Sequence, residues 1–218
     1  TAQREEAING ALAAHRRLVE DIAGLTDEQA RSASLLPDWS VGHVLTHIAR
    51  HGDSFVRMMS AAIDGRAVTQ YGGGHESRAA DIAAGASRTA AELVADVAAS
   101  AAAVEDVWSR MTDDAWAGHG LNAAGEVWPC EAMPYHRWRE VAIHHLDLDA
   151  VGAALQHVEM DRAAQEAPGA VVVAQFGAHA RDLFLRAVGQ VAIARRVEDV
   201  ALLRHMIEME GRAFAVRA

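Results

Sequence analysis

The sequence predicts a mainly α protein, an antiparallel four-helix bundle followed by a short C-terminal α(+β) appendage. About half of the residues are hydrophobic (51%), aromatic residues make up only 5%, and four long segments repeat apolar residues at helical spacing. A β-sandwich would require more β-branched and aromatic side chains. A chain of 218 residues has room for one bundle domain, predicted at residues 1–155, and a smaller α+β or helical extension at 156–218.

The first predicted helix covers residues 4–25, where apolar residues recur near the helical period. Thr26 and Gln29 have the spacing of a capping box, which predicts that a short helix follows. Ser40 is placed to cap a second long helix, predicted at residues 41–63. The apolar stripe of that helix consists of Val44, Leu45, Ile48, Phe55, Val56, Met59 and Ile63.

The third and fourth long helices are predicted at residues 78–111 and 134–151. Between them the helical pattern is lost, and residues 122–125 are expected to form a turn between two short extended pieces. The C-terminal pattern predicts one short strand at 170–174 and two helices at 181–195 and 198–210.

The charge and the cysteine content exclude several classes of function. The formal net charge is −10, and no cluster of basic residues overrides it, so nucleic acid is excluded as a partner. No apolar run approaches the ~20 residues that cross a bilayer, and no secretory signal is visible in the first residues. The single cysteine, Cys130, cannot form an internal disulfide, which fits a reducing compartment. We therefore expect a soluble cytoplasmic protein, monomeric or homodimeric, whose partners are small molecules.

Glu140 and His144 lie four residues apart on the fourth predicted helix. This spacing places them on one helical face, roughly 6 Å apart at Cβ. Such a pair can converge on one metal ion, as in bundle-core metal sites, if another helix supplies a third ligand. The alternative interpretation is a partly solvated hydrogen bond between the carboxylate and the imidazole.

Three histidines, His43, His47 and His51, recur every four residues on the second predicted helix. The helical wheel turns the first away from the apolar stripe and places the other two at its edges, with His51 slightly more inward. Periodicity does not choose the ligand between them, and a weakly basic face with one buried histidine is the alternative. A set of two histidines and one carboxylate would suit zinc with an open coordination position. Iron, manganese or nickel would accept the same ligands.

Cys130 is a further candidate, either as a fourth ligand or as a nucleophile. Its predicted role is structural, because a helix extended back to it would place it ~15 Å along the axis from Glu140. No glycine-rich phosphate loop, Gly-x-Ser-x-Gly elbow or twin Cys-x-x-Cys pattern is present. The remaining candidate histidines are interpreted as surface or packing residues: His119, His136, His157, His179 and His205.

Two motifs resemble those of a known family. Residues 35–49, LLPDWSVGHVLTHIA, are similar to the start of the second helix in DinB-like metalloproteins. Residues 139–148, REVAIHHLDL, resemble the fourth-helix motif of one branch, the mycothiol-dependent maleylpyruvate isomerases. The segment 114–116 and the turn around Gly125 are also similar to that branch, and the resemblance covers roughly residues 8–152.

The resemblance implies a zinc ion bound by His47, Glu140 and His144, with water in the remaining positions, and mycothiol as the thiol cosubstrate. It implies cis–trans isomerisation of maleylpyruvate, in which a metal-held thiolate adds to the double bond and leaves after rotation. In the family an arginine of a longer C-terminal domain is needed for function. Arg186 is the candidate catalytic residue here, one position out of register, and Arg181 is the alternative.

Two other functions stay open at this point. One is a thiol S-transferase of the mycothiol or bacillithiol type, acting on an electrophilic metabolite or toxin. The other is a non-catalytic metal-binding or ligand-binding regulatory bundle. The predicted C-terminal extension, which is shorter than that of the isomerases, favours both alternatives.

Overall fold

The structure, a computed structural model, describes residues 1–148. Within them the helices are α1 (Ala2–Ile22), α2 (Asp27–Arg31), α3 (Val41–Ile63), α4 (Gly74–Gly85), α5 (Ala90–Ser109), α6 (Asp113–Trp116) and α7 (Met133–Asp147). A hairpin of β1 (His119–Leu121) and β2 (Val127–Pro129) and a 3-10 turn (Cys130–Ala132) precede α7. None of these helices combines the length and hydropathy needed to cross a membrane. The domain boundary and the C-terminal elements predicted from the sequence lie outside the described residues.

Four long helices build the bundle. The helix α1 packs against α7, and α3 packs against α5, while α3 also contacts α7. Each contributes side chains that are almost completely buried, such as Leu18 of α1, Phe55 of α3, Leu93 of α5 and Val141 of α7. The predicted mainly α four-helix bundle is therefore confirmed.

The prediction of one continuous helix at residues 78–111 is wrong. The structure has two helices here, because α4 ends at Gly85 and α5 begins at Ala90. Oγ1 of Thr89 accepts a hydrogen bond from the backbone N–H of Glu92, and the Glu92 carboxylate accepts one from the backbone N–H of Thr89. Both helices pack on α3, so the apolar spacing continues across the break and conceals it.

The segment before α3 orients the helix that carries the three regularly spaced histidines. Asp38 has a φ of 65°, a left-handed conformation that aspartate tolerates better than most residues. Oγ of Ser40 then accepts from the backbone N–H of His43, and Nδ1 of His43 accepts from the backbone N–H of Ser40 at 3.1 Å. The predicted N-cap at Ser40 is confirmed, and the side chain of His43 completes it by accepting the second hydrogen bond. The same segment is held to the end of α7, since the backbone N–H of Leu35 donates to the carbonyl of Asp147 at 2.9 Å.

The hairpin between α6 and α7 confirms the expected turn and its short extended flanks. The strands β1 and β2 pair antiparallel, with Gly120 opposite Trp128. Gly125 has a φ of 82°, a conformation that favours glycine.

Candidate metal centre

His47, Glu140 and His144 meet where α3 packs against α7. Nε2 of His47 lies 3.0 Å from Nε2 of His144 and 3.3 Å from Oε2 of Glu140. The third edge of the triangle, from Nε2 of His144 to Oε2 of Glu140, is 3.4 Å. The spacing of four residues brings the α7 pair together, and helix packing adds the imidazole from α3.

The triangle has the size expected for three ligands of one tetrahedral ion. Zinc–ligand bonds of about 2.0–2.1 Å at tetrahedral angles place neighbouring ligand atoms about 3.3–3.4 Å apart. Two imidazole nitrogens face each other at 3.0 Å and share one carboxylate oxygen, so without a metal at least one proton must lie inside the triangle. A divalent cation can take the place of that proton and accept a lone pair from each of the three atoms. The donor set therefore fits one divalent metal ion.

Asp147 orients the imidazole of His144. Its side chain is almost completely buried, and its Oδ2 lies 2.8 Å from Nδ1 of His144. The carboxylate accepts the Nδ1–H hydrogen bond, which leaves the lone pair of Nε2 directed into the triangle. Asp147 was not among the site residues predicted from the sequence. Its position three residues after His144, one turn along the same face, was the available indication.

Hydrogen bonds set the charges of the α7 pair in the absence of a metal. Burial alone would lower the pKa of His144, but the hydrogen bonds to Asp147 and Glu140 have the larger effect and raise the pKa to about 9. Burial raises the pKa of Glu140, yet hydrogen bonds with His144 and His47 hold it well below its usual value. Burial lowers the pKa of His47 to about 4. A metal entering the triangle would thus displace the proton of His144.

Arg78 of α4 stands at the edge of the triangle. Its Nη2 lies 3.1 Å from Nδ1 of His47, and its guanidinium lies over the Tyr71 ring, 5.7 Å from the centroid. A guanidinium can only donate, so this contact keeps the proton of a neutral His47 at Nε2. A metal at Nε2 instead requires that proton at Nδ1. No carboxylate within residues 1–148 forms an ion pair with Arg78, so its charge faces the site uncompensated.

The two α3 histidines that the sequence could not rank are both buried, at 4% exposure each. His47 meets the α7 pair, whereas His51 lies one turn further on, with its ring centroid 6.0 Å from that of His47. Among the described residues, only His47, Glu140 and His144 form a group of at least three potential ligands with all ligand atoms within 4.8 Å. Cys130, a candidate fourth ligand, is buried in the 3-10 turn and does not join them.

Other candidates from the sequence lie apart from the triangle. His119 is exposed on β1, as expected. His136 packs against Trp128, with ring centroids 4.8 Å apart, in agreement with a packing role. Five candidates fall outside the described residues: His157, His179, Arg181, Arg186 and His205.

The chain is similar to one protein family and to two solved structures. The family described as the mycothiol maleylpyruvate isomerase N-terminal domain matches residues 11–149. Two solved structures are similar, the mycothiol-dependent maleylpyruvate isomerase and a mutant of it with histidine replaced by alanine. Each has 26% sequence identity and a TM-score of 0.63, over 66% of this chain and 60% of the solved chain. No curated protein sequence matches. This chain therefore spans about 60% of the length of those isomerases, and it belongs to the family of the mycothiol maleylpyruvate isomerase N-terminal domain.

Proposed function

We propose that this protein is a metal-dependent enzyme that uses mycothiol to isomerise maleylpyruvate or a closely related cis-unsaturated acid. The observation that carries the proposal is the triangle of His47, Glu140 and His144, whose edges of 3.0–3.4 Å suit one tetrahedral ion. The proposed substrate and thiol are those of the similar solved isomerase.

Zinc is the proposed metal, although the same ligands would hold other divalent ions. Two neutral imidazoles and one carboxylate leave a net charge of +1 on a divalent site. A zinc ion bound there would lower the pKa of a coordinated thiol and so supply the thiolate, which is the competent nucleophile.

The proposed reaction conserves the thiol. The cis double bond of maleylpyruvate accepts the sulfur of the thiolate, and its electron pair moves to the conjugated carbonyl oxygen to form an enolate. The former double bond is then a rotatable single bond. Rotation, collapse of the enolate and cleavage of the carbon–sulfur bond give fumarylpyruvate and return the thiolate.

The residues of the chain hold the groups that this reaction needs. Asp147 keeps a proton at Nδ1 of His144, so that Nε2 stays available as a ligand atom. The burial of His47 limits access of water to this side of the site. Arg78, with no carboxylate paired to it in the described part of the chain, offers a cation to an acidic substrate. Arg186 remains the sequence-based prediction for a catalytic residue.

A thiol S-transferase is the second candidate. It would use the same ligand triangle, since a metal-held thiolate can also attack other electrophiles. The proposed partners are the same in both cases, a small electrophile and a low-molecular-weight thiol. We also propose a cytoplasmic location and a monomeric or homodimeric state. A metal-binding regulatory bundle without catalysis is a further outcome that the experiments below distinguish.

Metal analysis tests the site itself. Protein purified by gel filtration should contain about one zinc or other divalent ion per chain, and His47→Ala should lose it. His119→Ala, which changes an exposed histidine away from the triangle, serves as the control and should keep the metal. Metal-free wild-type protein that fails to take up added zinc would contradict the proposal.

The activity assay separates isomerisation from conjugation. Zinc-loaded protein is incubated with maleylpyruvate and mycothiol, and free thiol and the trans product are followed together. Isomerisation yields fumarylpyruvate at constant thiol, whereas an S-transferase consumes one thiol for each electrophile. Binding of maleylpyruvate without any turnover would indicate the regulatory bundle.

A further inference from the structure

Arg137 of α7 is a completely buried cation that has no carboxylate among its hydrogen-bond partners in residues 1–148. Its Nε donates to Nε2 of His15 at 3.0 Å, and its Nη1 donates to the carbonyl of Ile48 at 2.8 Å. The same Nη1 lies 3.3 Å from Nδ1 of His51. A guanidinium has five donors and no acceptor, so each imidazole must present a lone pair to it.

This contact determines where His51 carries its proton. Because Nδ1 accepts from Arg137, a neutral His51 is protonated at Nε2. A doubly protonated imidazole has no lone pair to offer a guanidinium, so this contact requires a neutral His51. An N–H group therefore points away from Arg137, on the other side of the ring.

His15 provides a comparison within the same network. Its Nε2 accepts from Arg137, and its Nδ1 lies 3.1 Å from a carboxylate oxygen of Glu105, so both ring nitrogens are used. For His51, no residue within the described part of the chain bonds to Nε2. A purely structural role would need only Nδ1. The free N–H of His51 is therefore a spare donor beside the candidate metal centre, one turn of α3 beyond His47.

We propose that His51 binds the substrate by donating a hydrogen bond from Nε2–H to the carbonyl oxygen that becomes the enolate, with Arg137 as the positioning residue that sets the tautomer. This inference rests on the proposed function and deepens it. No proton is transferred in the step. As the carbon–sulfur bond forms, the electron pair of the double bond moves to the oxygen facing His51, and it returns when that bond breaks.

A neutral imidazole suits this task. The hydrogen bond strengthens as negative charge develops on the oxygen, so it stabilises the transition state more than the bound substrate. The positive charge of Arg137, next to Nδ1, polarises the imidazole of His51 and makes its Nε2–H group a stronger hydrogen-bond donor. That charge also disfavours a second metal ion at His51, which agrees with its separation from the ligand triangle.

The kinetic test uses two substitutions in the zinc-loaded full-length protein. His51→Phe keeps the aromatic volume but removes the donor, and His51→Gln can place an amide N–H near the position of Nε2. With maleylpyruvate and mycothiol, we expect His51→Phe to lower kcat roughly 100-fold, the usual effect of losing one oxyanion donor. For the same variant we expect KM to change by less than about threefold and the metal content to stay the same. His51→Gln should have a kcat about tenfold higher than that of His51→Phe. His119→Gln is the control. A His51→Phe enzyme with wild-type kcat would overturn the inference.

The tautomer is measured independently of activity. Wild-type protein labelled with ¹⁵N at histidine and loaded with zinc should show His51 protonated at Nε2, and this N–H resonance should shift when maleylpyruvate is added without thiol. Protonation at Nδ1 would overturn the role of Arg137. Arg137→Gln should mix the two tautomers if it folds, and the wild-type measurement decides the question if it does not.

The two proposals fail in different ways. A wild-type protein that binds zinc but isomerises neither maleylpyruvate nor a closely related cis-unsaturated acid refutes the proposed function, and the substrate role of His51 with it. An active wild-type enzyme that tolerates His51→Phe refutes this inference alone.

Discussion

Oδ2 of the buried Asp147 lies 2.8 Å from Nδ1 of His144, the ring nitrogen that takes no part in the ligand triangle. Partners of this kind hold a metal-binding histidine in one tautomer and one orientation. We therefore expect Asp147→Ala to weaken zinc binding by roughly 10–100-fold, measured by competition with a chromogenic chelator. Asp81→Ala, at an exposed position on α4, is the control. Equal affinities for the two variants would show that Asp147 does not support the ligand.

Arg78 should oppose metal binding while favouring binding of an acidic substrate. Its contact with Nδ1 of His47 stabilises the tautomer that cannot bind a metal, and its charge repels a cation. Arg78→Met should therefore tighten zinc binding about fivefold, or roughly 1 kcal/mol for a partly exposed charge, and should raise KM for maleylpyruvate. Chelator competition and steady-state kinetics measure the two effects, with the exposed Arg110→Met as a matched control. If Arg78→Met bound zinc more weakly than the wild type, Arg78 would not oppose metal binding.

Acid should destabilise the bundle partly through His15. Burial and the charge of Arg137 lower the pKa of His15 from 6.5 to about 3. Between these values the unfolded chain binds a proton here and the folded chain does not, so the free energy of unfolding falls as the pH falls. The contribution is at most about 1.4 kcal/mol per pH unit.

Urea denaturation at pH 7 and pH 5, with a chelator present, measures this dependence. His15→Gln should show a shallower decrease between the two pH values than the wild type, because one titrating group is removed. His119→Gln should retain the wild-type decrease. A His15→Gln protein with the full decrease would assign the acid sensitivity to other groups.

Cys130 should be unreactive in the folded protein. Its side chain is completely buried, and burial raises the pKa of its thiol to about 11. The thiolate is the reactive species, so a disulfide reagent such as DTNB should label one thiol per chain only after denaturation. Rapid labelling of the native protein would indicate that the turn before α7 opens. Cys130→Ala should retain both metal binding and activity, since the thiol lies outside the ligand triangle.

Local features of the fold were predictable from the sequence because local interactions create them. The capping box at Thr26 and the N-cap at Ser40 lie where their residue types and spacing indicated. The break between α4 and α5 was missed, although Thr89 and Glu92 have the spacing of a capping box. Alanine-rich helices that pack on one partner keep the same apolar spacing, and periodicity alone does not reveal where one helix ends.

The candidate site was predictable only in part. The spacing of Glu140 and His144 follows from one helix, but the choice between His47 and His51 depends on how α3 crosses α7, and both side chains are buried. The family resemblance indicated His47, and Nε2 of this residue lies 3.0 Å from Nε2 of His144. The approach of Arg78 joins two different helices, and no spacing within one helix predicts such a contact.

The ligands of the proposed metal are far apart along the chain, since His47 precedes Glu140 by 93 positions and His144 by 97. An unfolded chain disperses these groups, and only the docked helices assemble them. An ion that binds the native state alone shifts the folding equilibrium by mass action, by about 2.7 kcal/mol when its free concentration is 100 times the dissociation constant. The fraction of folded molecules would then follow the supply of zinc, so metal starvation could remove the protein itself as well as its activity.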